Sequence, residues 1–107
     1  MNRGEVWWVD FDPSVGSEIR RQRPAVIVSN DMSNRYLNRL QVIPLTTNVD
    51  SLYPSEAYVE VDGRRHKAMA DQLTTVGKSR LENIFGHLSA SDIKNVEQAI
   101  AVQLGLT

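Results

Sequence analysis

The chain has 107 residues, a length typical of one domain, so residues 1–107 are treated as a single domain. It contains no cysteine, which excludes disulfides, thiolate zinc sites and cysteine nucleophiles and suits a reducing compartment. The net charge of −1 lacks the basic excess typical of nucleic-acid-binding domains, so any contact with phosphate would depend on a local patch.

No segment of the sequence has the composition of a targeting signal or a membrane span. The amino terminus reads MNRGEVWWVD, without the basic region and apolar run of a signal peptide. The apolar stretches are all much shorter than the roughly 20 residues that cross a bilayer. The sequence therefore predicts a cytoplasmic protein with no membrane partner.

The first third of the chain predicts two strands separated by a loop. Residues 3–12 alternate in the manner of a β-strand, with one face formed by Trp7, Val9 and Phe11. Residues 13–22 have no apolar periodicity, so we expect a polar, mobile loop there. Residues 24–29 (PAVIVS) are rich in valine and isoleucine, which is typical of a buried strand.

The middle of the chain predicts further short strands. One helical turn is expected at residues 33–37, and residues 39–46 form a strand in which Pro44 indicates an edge or a bulge. Residues 56–62 alternate cleanly and end at a turn around Gly63. Two more segments are expected to supply short strands, residues 67–76 and residues 84–88.

The last segment changes to the period of a helix. Ser89 is a good N-cap, with Asp92 three residues later in an approximate capping box, and Gly105 stands where a helix would end. One apolar face is formed by Ile93, Val96, Ala99, Ile100 and Leu104. The predicted fold class is mainly β (α+β): a small, strongly curved antiparallel sheet or barrel with a C-terminal amphipathic helix packed across it.

Basic residues gather in one part of this otherwise neutral chain. Between residues 14 and 47, five arginines face only two acids, Glu18 and Asp31. The arginines are Arg20, Arg21, Arg23, Arg35 and Arg39. Such a patch can hold a short stretch of phosphate backbone, although a solvated surface would have the same composition.

Several classes of chemistry lack the residues they need. The two histidines, His66 and His87, are far apart in sequence and have no metal-ligand spacing. His66 is expected in a turn, solvated or touching phosphate, and His87 is expected to pack in a strand. No glycine-rich phosphate loop, GxSxG motif or carboxylate cluster is present. We therefore expect neither a metal nor a cofactor.

One arrangement that could support catalysis remains. Arg23 ends the polar loop directly before Pro24, whose fixed backbone anchors it, while Thr46 and Thr47 end a strand that could pair alongside. An arginine and a hydroxyl suffice for attack by an RNA 2′-hydroxyl on its own 3′-phosphate, because the substrate supplies the nucleophile. Arg-Pro at a strand start and paired threonines at a strand end also occur for structural reasons alone, so these residues leave both readings open.

At these residues the sequence resembles the MazF/PemK family (also Kid and ChpB), the messenger-RNA interferases of type II toxin–antitoxin systems. The matching motifs run in order along nearly the whole chain: RGEVWWVDFDP, GSE followed by RPAVIVSND, IPLTTN, ADQLTTV and KSRL. The resemblance implies an SH3-like barrel of the CcdB/PemK type and a homodimer. It also implies that single-stranded RNA, with messenger RNA as the expected target, is cut without a metal to leave a 2′,3′-cyclic phosphate and a 5′-hydroxyl.

The same resemblance assigns roles to individual residues. Arg23 matches the family's essential arginine, expected to stabilise the phosphate and to take part in proton transfer, and Thr46 matches the threonine that orients the phosphate. Glu18 matches a loop glutamate near the active site. Further RNA contacts are expected from Ser17, Arg20, Arg21, Ser29, Asn30, Thr47, Asp71 and Gln72. Residues 19–22 are more basic and bulkier than the family's usual loop, so no particular cleavage sequence is carried over.

A protein partner and two rival functions follow. The family's toxins are silenced by a MazE-like antitoxin whose acidic tail folds over the toxin, and Trp8 is a candidate contact for it or for the dimer.

One rival function is that of a same-fold toxin that acts on a protein target, as the gyrase-directed CcdB toxins do. The other is a catalytically silent RNA-binding or antitoxin-sequestering module, which would bind RNA without cutting it.

Overall fold

The structure is a computed structural model that describes residues 1–11 and 22–107. The predicted loop at residues 13–22 therefore lies, except for its last residue, outside the described residues. The same holds for four of the candidate functional residues, namely Ser17, Glu18, Arg20 and Arg21.

Within the described residues, the chain forms seven antiparallel β-strands and two α-helices. The strands are β1 (Glu5–Asp10), β2 (Gln22–Ile27), β3 (Arg39–Thr46), β4 (Glu56–Val61), β5 (Arg64–Met69), β6 (Thr74–Gly77) and β7 (Leu81–His87). The helices are α1 (Asp31–Tyr36) and α2 (Ala90–Leu104), and two short 3₁₀ turns cover Ala70–Gln72 and Lys78–Arg80. The predicted mainly β fold with one C-terminal amphipathic helix is confirmed.

The strands form one curved sheet, a half-barrel in which β3 is the central strand. The strands are hydrogen-bonded in the order β4-β5-β3-β2-β1-β7. The short strand β6 is an additional partner of β3. β3 pairs with β2 along one edge, and along its other edge it pairs first with β6 and then with β5. It is therefore the strand through which the β4–β5 hairpin joins the rest of the sheet.

Both faces of the sheet are buried, because side chains alternate across a strand and each face has its own cover. Val6 and Val26 belong to a core on the face that carries α2, together with Val96 and Ala99 of that helix. The opposite face holds a second core formed by Val9, Ala25, Ile27, Leu40, Val42 and Leu81. Trp7 and Phe11 pack on this second core beside Val9, so the shared face predicted for these three residues is confirmed.

The prediction that Pro44 marks an edge or bulge is wrong, because Pro44 lies in the most paired strand of the sheet. It is buried opposite Ala25 in the β2–β3 ladder. Val28 donates its backbone N–H to Gln41 O at 3.0 Å, so these two residues form a hydrogen-bonded pair of the β2–β3 ladder. Such pairs alternate with non-hydrogen-bonded pairs along an antiparallel ladder, and Pro44, three positions further on, belongs to a non-hydrogen-bonded pair with β2. Its nitrogen faces the other edge, where β3 changes partner from β6 to β5, and no ladder hydrogen bond is lost.

Helix α2 begins and ends where its capping residues predict. Ser89 Oγ accepts a hydrogen bond from the backbone N–H of Asp92 at 3.1 Å, and Gly105 adopts the left-handed conformation with φ 71°. The Asp92 carboxylate accepts the N–H of Glu60 at 2.9 Å, which ties the helix to β4. Leu104 was expected in the buried face but is 54% exposed. No helix in the described part of the chain is long and apolar enough to cross a bilayer.

The two histidines exchange their expected environments. Asp62 and Gly63, with φ 54° and 72°, form a two-residue turn of the I′ type between β4 and β5. Because this turn is so short, β5 already begins at Arg64, and His66 is buried in the strand with 3% exposure. His87 ends β7 and is exposed.

We predict that Gly86→Ala lowers the free energy of unfolding by about 1–3 kcal/mol, the usual cost of overpacking. A Cβ at Gly86 would lie 2.5 Å from Cγ2 of Val61, a branched side chain that cannot swing away. The matched control is Gly77→Ala, whose new Cβ would come no closer than 3.7 Å to Ser79 Oγ. Urea unfolding of the three proteins measures the effect, and equal midpoints for the two variants would contradict the packing argument.

Candidate functional site

A cleft of about 490 Å³ opens where β2 begins and β3 ends. Its apolar wall combines Trp8, Pro24, Leu45, Val61 and Phe85. Its polar lining consists of Gln22, Arg23, Thr46, Thr47, Asp62, Arg64 and His66. The cleft thus brings Arg23, Thr46 and Thr47 together.

The strand register explains why Arg23 and Thr46 meet. The β2–β3 ladder ends where Ala25 lies opposite Pro44, and Arg23 and Thr46 each come two residues beyond these on their own strands. Because side chains alternate along a strand, Arg23 and Thr46 lie on the same face of the sheet as Ala25 and Pro44. The two side chains therefore project together from adjacent strands.

Arg23 also lines a second cleft, of about 290 Å³. This cleft contains Phe11, Pro44, Gln72 and Thr74. Gln72, a predicted RNA contact, therefore shares a surface with Arg23. Its neighbour Asp71 is exposed on the same 3₁₀ turn but does not line either cleft.

The hydroxyl of Thr46 is already oriented by the backbone. Thr46 Oγ1 accepts a hydrogen bond from the N–H of Asn48 at 3.1 Å. Because one lone pair is occupied in this way, the hydroxyl proton stays available for donation. Thr46 can therefore donate to an anion beside Arg23, whereas Thr47 is more exposed at the rim.

The structure does not bring Ser29 and Asn30 to this cleft. Asn30 is the N-cap of α1, its Oδ1 accepting the N–H of Ser33 at 2.8 Å. Ser29 Oγ donates to Asn34 Oδ1 at 2.5 Å and accepts the N–H of Gln41 at 3.1 Å. Their polar groups thus hold α1 against β3, and both residues border a separate groove beside the end of α2.

A carboxylate completes this capping network. Asp31 Oδ1 accepts the backbone N–H of Arg3 at 2.6 Å and Asn34 Nδ2 at 3.1 Å. The hydrogen bond from Arg3, followed by that from Asn34, holds the pKa of the Asp31 carboxyl below its ordinary value. The Asp31 carboxylate, one of the two acids among the five arginines of residues 14–47, therefore serves to hold α1 and the amino-terminal segment together.

The cleft is rich in hydrogen-bond donors and cations. Arg23 and Arg64 line it against a single lining carboxylate, that of Asp62. Among residues 1–11 and 22–107, no carboxylate is paired with the Arg23 guanidinium. The described residues also contain no group of three histidine, aspartate or glutamate side chains that could hold a metal ion. Such a lining suits a phosphate group.

Among the lining residues that the sequence analysis did not assign to the site, three carry aromatic rings: Trp8, Phe85 and His66. Trp8 was noted only as a partner contact, and it lies 5.3 Å from Phe85 between ring centroids. The signal for His66 was the two-residue turn at Asp62 and Gly63. Recognising that turn would have started β5 at Arg64 and placed His66 on the face that carries Leu45.

Comparisons with known proteins agree with this architecture. The sequence profile of the family described as "PemK-like, MazF-like toxin of type II toxin-antitoxin system" matches residues 2–104. The chain belongs to this toxin family. It is 37% identical over 118 residues to endoribonuclease MazF9 of Mycobacterium tuberculosis, covering 99% of this chain and 98% of that protein. The resemblance drawn from the motifs is confirmed.

Two further relatives extend the comparison. Endoribonuclease MazF of Staphylococcus saprophyticus is 32% identical over 112 residues, which cover 99% of this chain and 92% of that protein. Among solved structures, a mycobacterial endoribonuclease in complex with its cognate antitoxin superposes with a TM-score of 0.84 at 27% identity. That superposition covers 100% of this chain and 97% of the other.

In this MazF-like toxin, the segment after the threonine pair is anchored by a buried ion pair. Lys67, opposite Thr46 in the β3–β5 ladder, pairs with Glu56 at 3.1 Å, and each side chain is only 10% exposed. Lys67 Nζ also donates to Ser51 O at 2.8 Å, and Tyr58 donates its hydroxyl to Val49 O at 2.9 Å. These contacts fix the course of the chain directly after Thr46 and Thr47.

We predict that Glu56→Gln lowers the free energy of unfolding by about 3 kcal/mol, because it leaves the Lys67 ammonium buried without a counter-charge. The matched control is Glu97→Gln. That change breaks the ion pair with Arg3, whose side chains are 31% and 49% exposed, and should cost less than about 1 kcal/mol. Denaturant unfolding compares the two, and an equal loss in both would show that burial does not strengthen the inner pair.

Proposed function

We propose that this toxin is a metal-independent, sequence-specific endoribonuclease that cuts single-stranded RNA beside Arg23 and Thr46. The observation that carries the proposal is that Arg23 and Thr46 line the same cation-rich cleft, where β2 begins and β3 ends. The endoribonuclease names of the MazF relatives support the same reaction.

In the proposed reaction, the substrate supplies its own nucleophile. A ribose 2′-oxygen attacks the adjacent phosphorus, the bond from phosphorus to the 5′-oxygen breaks, and a 2′,3′-cyclic phosphate and a 5′-hydroxyl result. Arg23 presents a planar fork of N–H donors to the non-bridging oxygens, where negative charge grows in the transition state. The free hydroxyl proton of Thr46 supplies one more donor to the same group.

Proton movement in this scheme runs through water rather than through the arginine. A guanidinium does not give up its proton in proteins, so Arg23 is assigned to charge stabilisation and not to general base catalysis. Water in the open cleft takes the 2′-hydroxyl proton and returns a proton to the 5′-oxygen. The charge on the phosphoryl group is met by protein donors, which leaves no step that requires a divalent cation.

The partners proposed for the toxin are RNA, a second copy and an antitoxin. Gln72 beside Arg23 is proposed to contact RNA, with Thr47 at the cleft rim and Asp71 on the adjacent turn. A MazE-like antitoxin with an acidic tail would bind to the arginines that line the cleft, Arg23 and Arg64. A mycobacterial relative has been solved in complex with its cognate antitoxin. The active form is proposed to be a homodimer, with messenger RNA as its main target.

The central test is cleavage of a long, mixed-sequence single-stranded RNA by the purified toxin in EDTA, with the fragment ends mapped. We expect discrete cuts ending in cyclic phosphate, and a loss of about 10³-fold in rate for Arg23→Ala. Arg39→Ala is the matched control, an exposed arginine at the opposite end of β3. Full activity of a folded Arg23→Ala protein, or activity lost in EDTA and restored by magnesium, would overturn the proposal.

A second prediction separates the hydroxyl of Thr46 from its shape. Thr46→Val should slow cleavage by about 10–10²-fold, because a hydrogen bond to a charged group is lost, while Thr46→Ser should retain most of the rate. Single-turnover cleavage of one mapped site measures both variants. Equal rates for the valine and serine variants would remove the hydroxyl from the mechanism.

A further inference from the structure

The wall of the Arg23 cleft contains a buried histidine whose second ring nitrogen has no assigned partner. His66 is 3% exposed, and its Nδ1 lies 3.1 Å from the carbonyl oxygen of Arg64. Because a carbonyl can only accept, Nδ1 carries the proton, and Nε2 of the neutral ring is left with a free lone pair. The tight turn before Arg64 fixes the position of this carbonyl.

The free nitrogen faces the cleft. Among the described residues, no group forms a hydrogen bond with Nε2. In the same residues, every side-chain nitrogen or oxygen that is fully enclosed has a hydrogen-bond partner, so Nε2 is not fully enclosed. The atom therefore keeps contact with solvent, and the cavity that the His66 ring borders is the Arg23 cleft. A side chain buried over nine-tenths of its surface thus presents one acceptor to this space.

Aromatic rings stand beside that acceptor. Phe85 meets the His66 ring edge-on, with centroids 6.1 Å apart and planes at 79°, and Trp8 lies 5.3 Å from Phe85 on the other side. Pro24 and Leu45 continue the apolar surface on the same face, and Arg23 and Thr46, which alternation turns toward the other face, border the cleft where β2 and β3 stop pairing. An apolar, aromatic wall with one fixed acceptor, next to cations, has the chemistry that recognises an unstacked nucleobase joined to a phosphate.

We infer that this cleft is a nucleobase subsite adjoining the cleaved phosphate, and that His66 is a specificity-determining residue within it. The inference rests on the proposed ribonuclease function. A base packs on the Trp8 and Phe85 wall, and His66 Nε2 accepts a hydrogen bond from its edge. The volume of about 490 Å³ is ample for one base.

The acceptor predicts which bases enter. Adenine, cytosine and guanine each present an exocyclic amino group to a lone pair. Uracil has no exocyclic amino group and offers only its ring N3–H, which is recessed between two carbonyl oxygens. Uracil is therefore disfavoured at one position beside the cut, and a buried acceptor left without a partner accounts for the discrimination.

The test is cleavage of an RNA library randomised around the cut, with fragment ends sequenced for wild type, His66→Phe and His87→Phe. His66→Phe keeps a planar ring against Phe85 but removes the acceptor, and circular dichroism checks that the variant is folded. His87, at the exposed end of β7, is the matched control. We expect uracil to be depleted at one position in wild type and in His87→Phe. In His66→Phe this depletion disappears and the preferred site is cut about 10–10²-fold more slowly.

Three results would overturn the inference, and they differ from one another. If wild type cuts RNA and His66→Phe retains every sequence preference, the base subsite is wrong while the ribonuclease proposal stands. If His66→Phe cuts every sequence more slowly without a change in preference, or only weakens binding of an acidic antitoxin peptide, the cleft has another role. If folded wild type makes no cuts, the ribonuclease proposal fails together with the subsite.

Discussion

The antiparallel register between β2 and β3 is the constraint on which the candidate site depends. Side chains separated by 23 positions in sequence meet because Ala25 lies opposite Pro44, and Arg23 and Thr46 each follow two residues further along on the same face. A shift of one residue would send the two side chains to opposite faces of the sheet. The buried residues Val26, Ile27, Val42 and Ile43 prevent that shift, since it would expose both cores. Core packing therefore sets the geometry of the site.

β3 can serve both halves of the sheet because it changes partners along one edge. Pro44 stands at the change, where no neighbouring strand requires its missing N–H. Beyond this point β3 leaves β6 and pairs with β5, which carries His66 and Lys67. The wall of the cleft and the buried ion pair beneath the following segment both come from that exchange. One residue unsuited to a regular central strand thus allows the barrel and the β4–β5 hairpin to share a strand.

Much of this could be predicted from the sequence, and the failures have definite causes. The alternation of Trp7, Val9 and Phe11 and the capping signals of α2 are local, and both were confirmed. Pro44 was misplaced because the cost of a missing N–H depends on which edge is paired, which a local pattern does not contain. His66 was misplaced by a turn assumed to be longer than two residues. Ser29 and Asn30 were predicted as RNA contacts from the resemblance alone, and the structure places them outside the Arg23 cleft, where Asn30 caps α1 and Ser29 accepts the N–H of Gln41.

The pairing of β1 with β7 has a consequence for how the toxin comes into being in a cell. Glu5 lies opposite His87, so β1 can pair with β7 only after nearly the whole chain has been synthesised. Contacts of such long sequence separation make folding slow and late. Trp8 and Phe85, the two aromatic residues of the cleft wall, come from these two strands. When only the first half of the polypeptide has left the ribosome, Arg23 and Thr46 are present but Phe85, which completes the aromatic wall, is not. The complete cleft forms only near the end of synthesis.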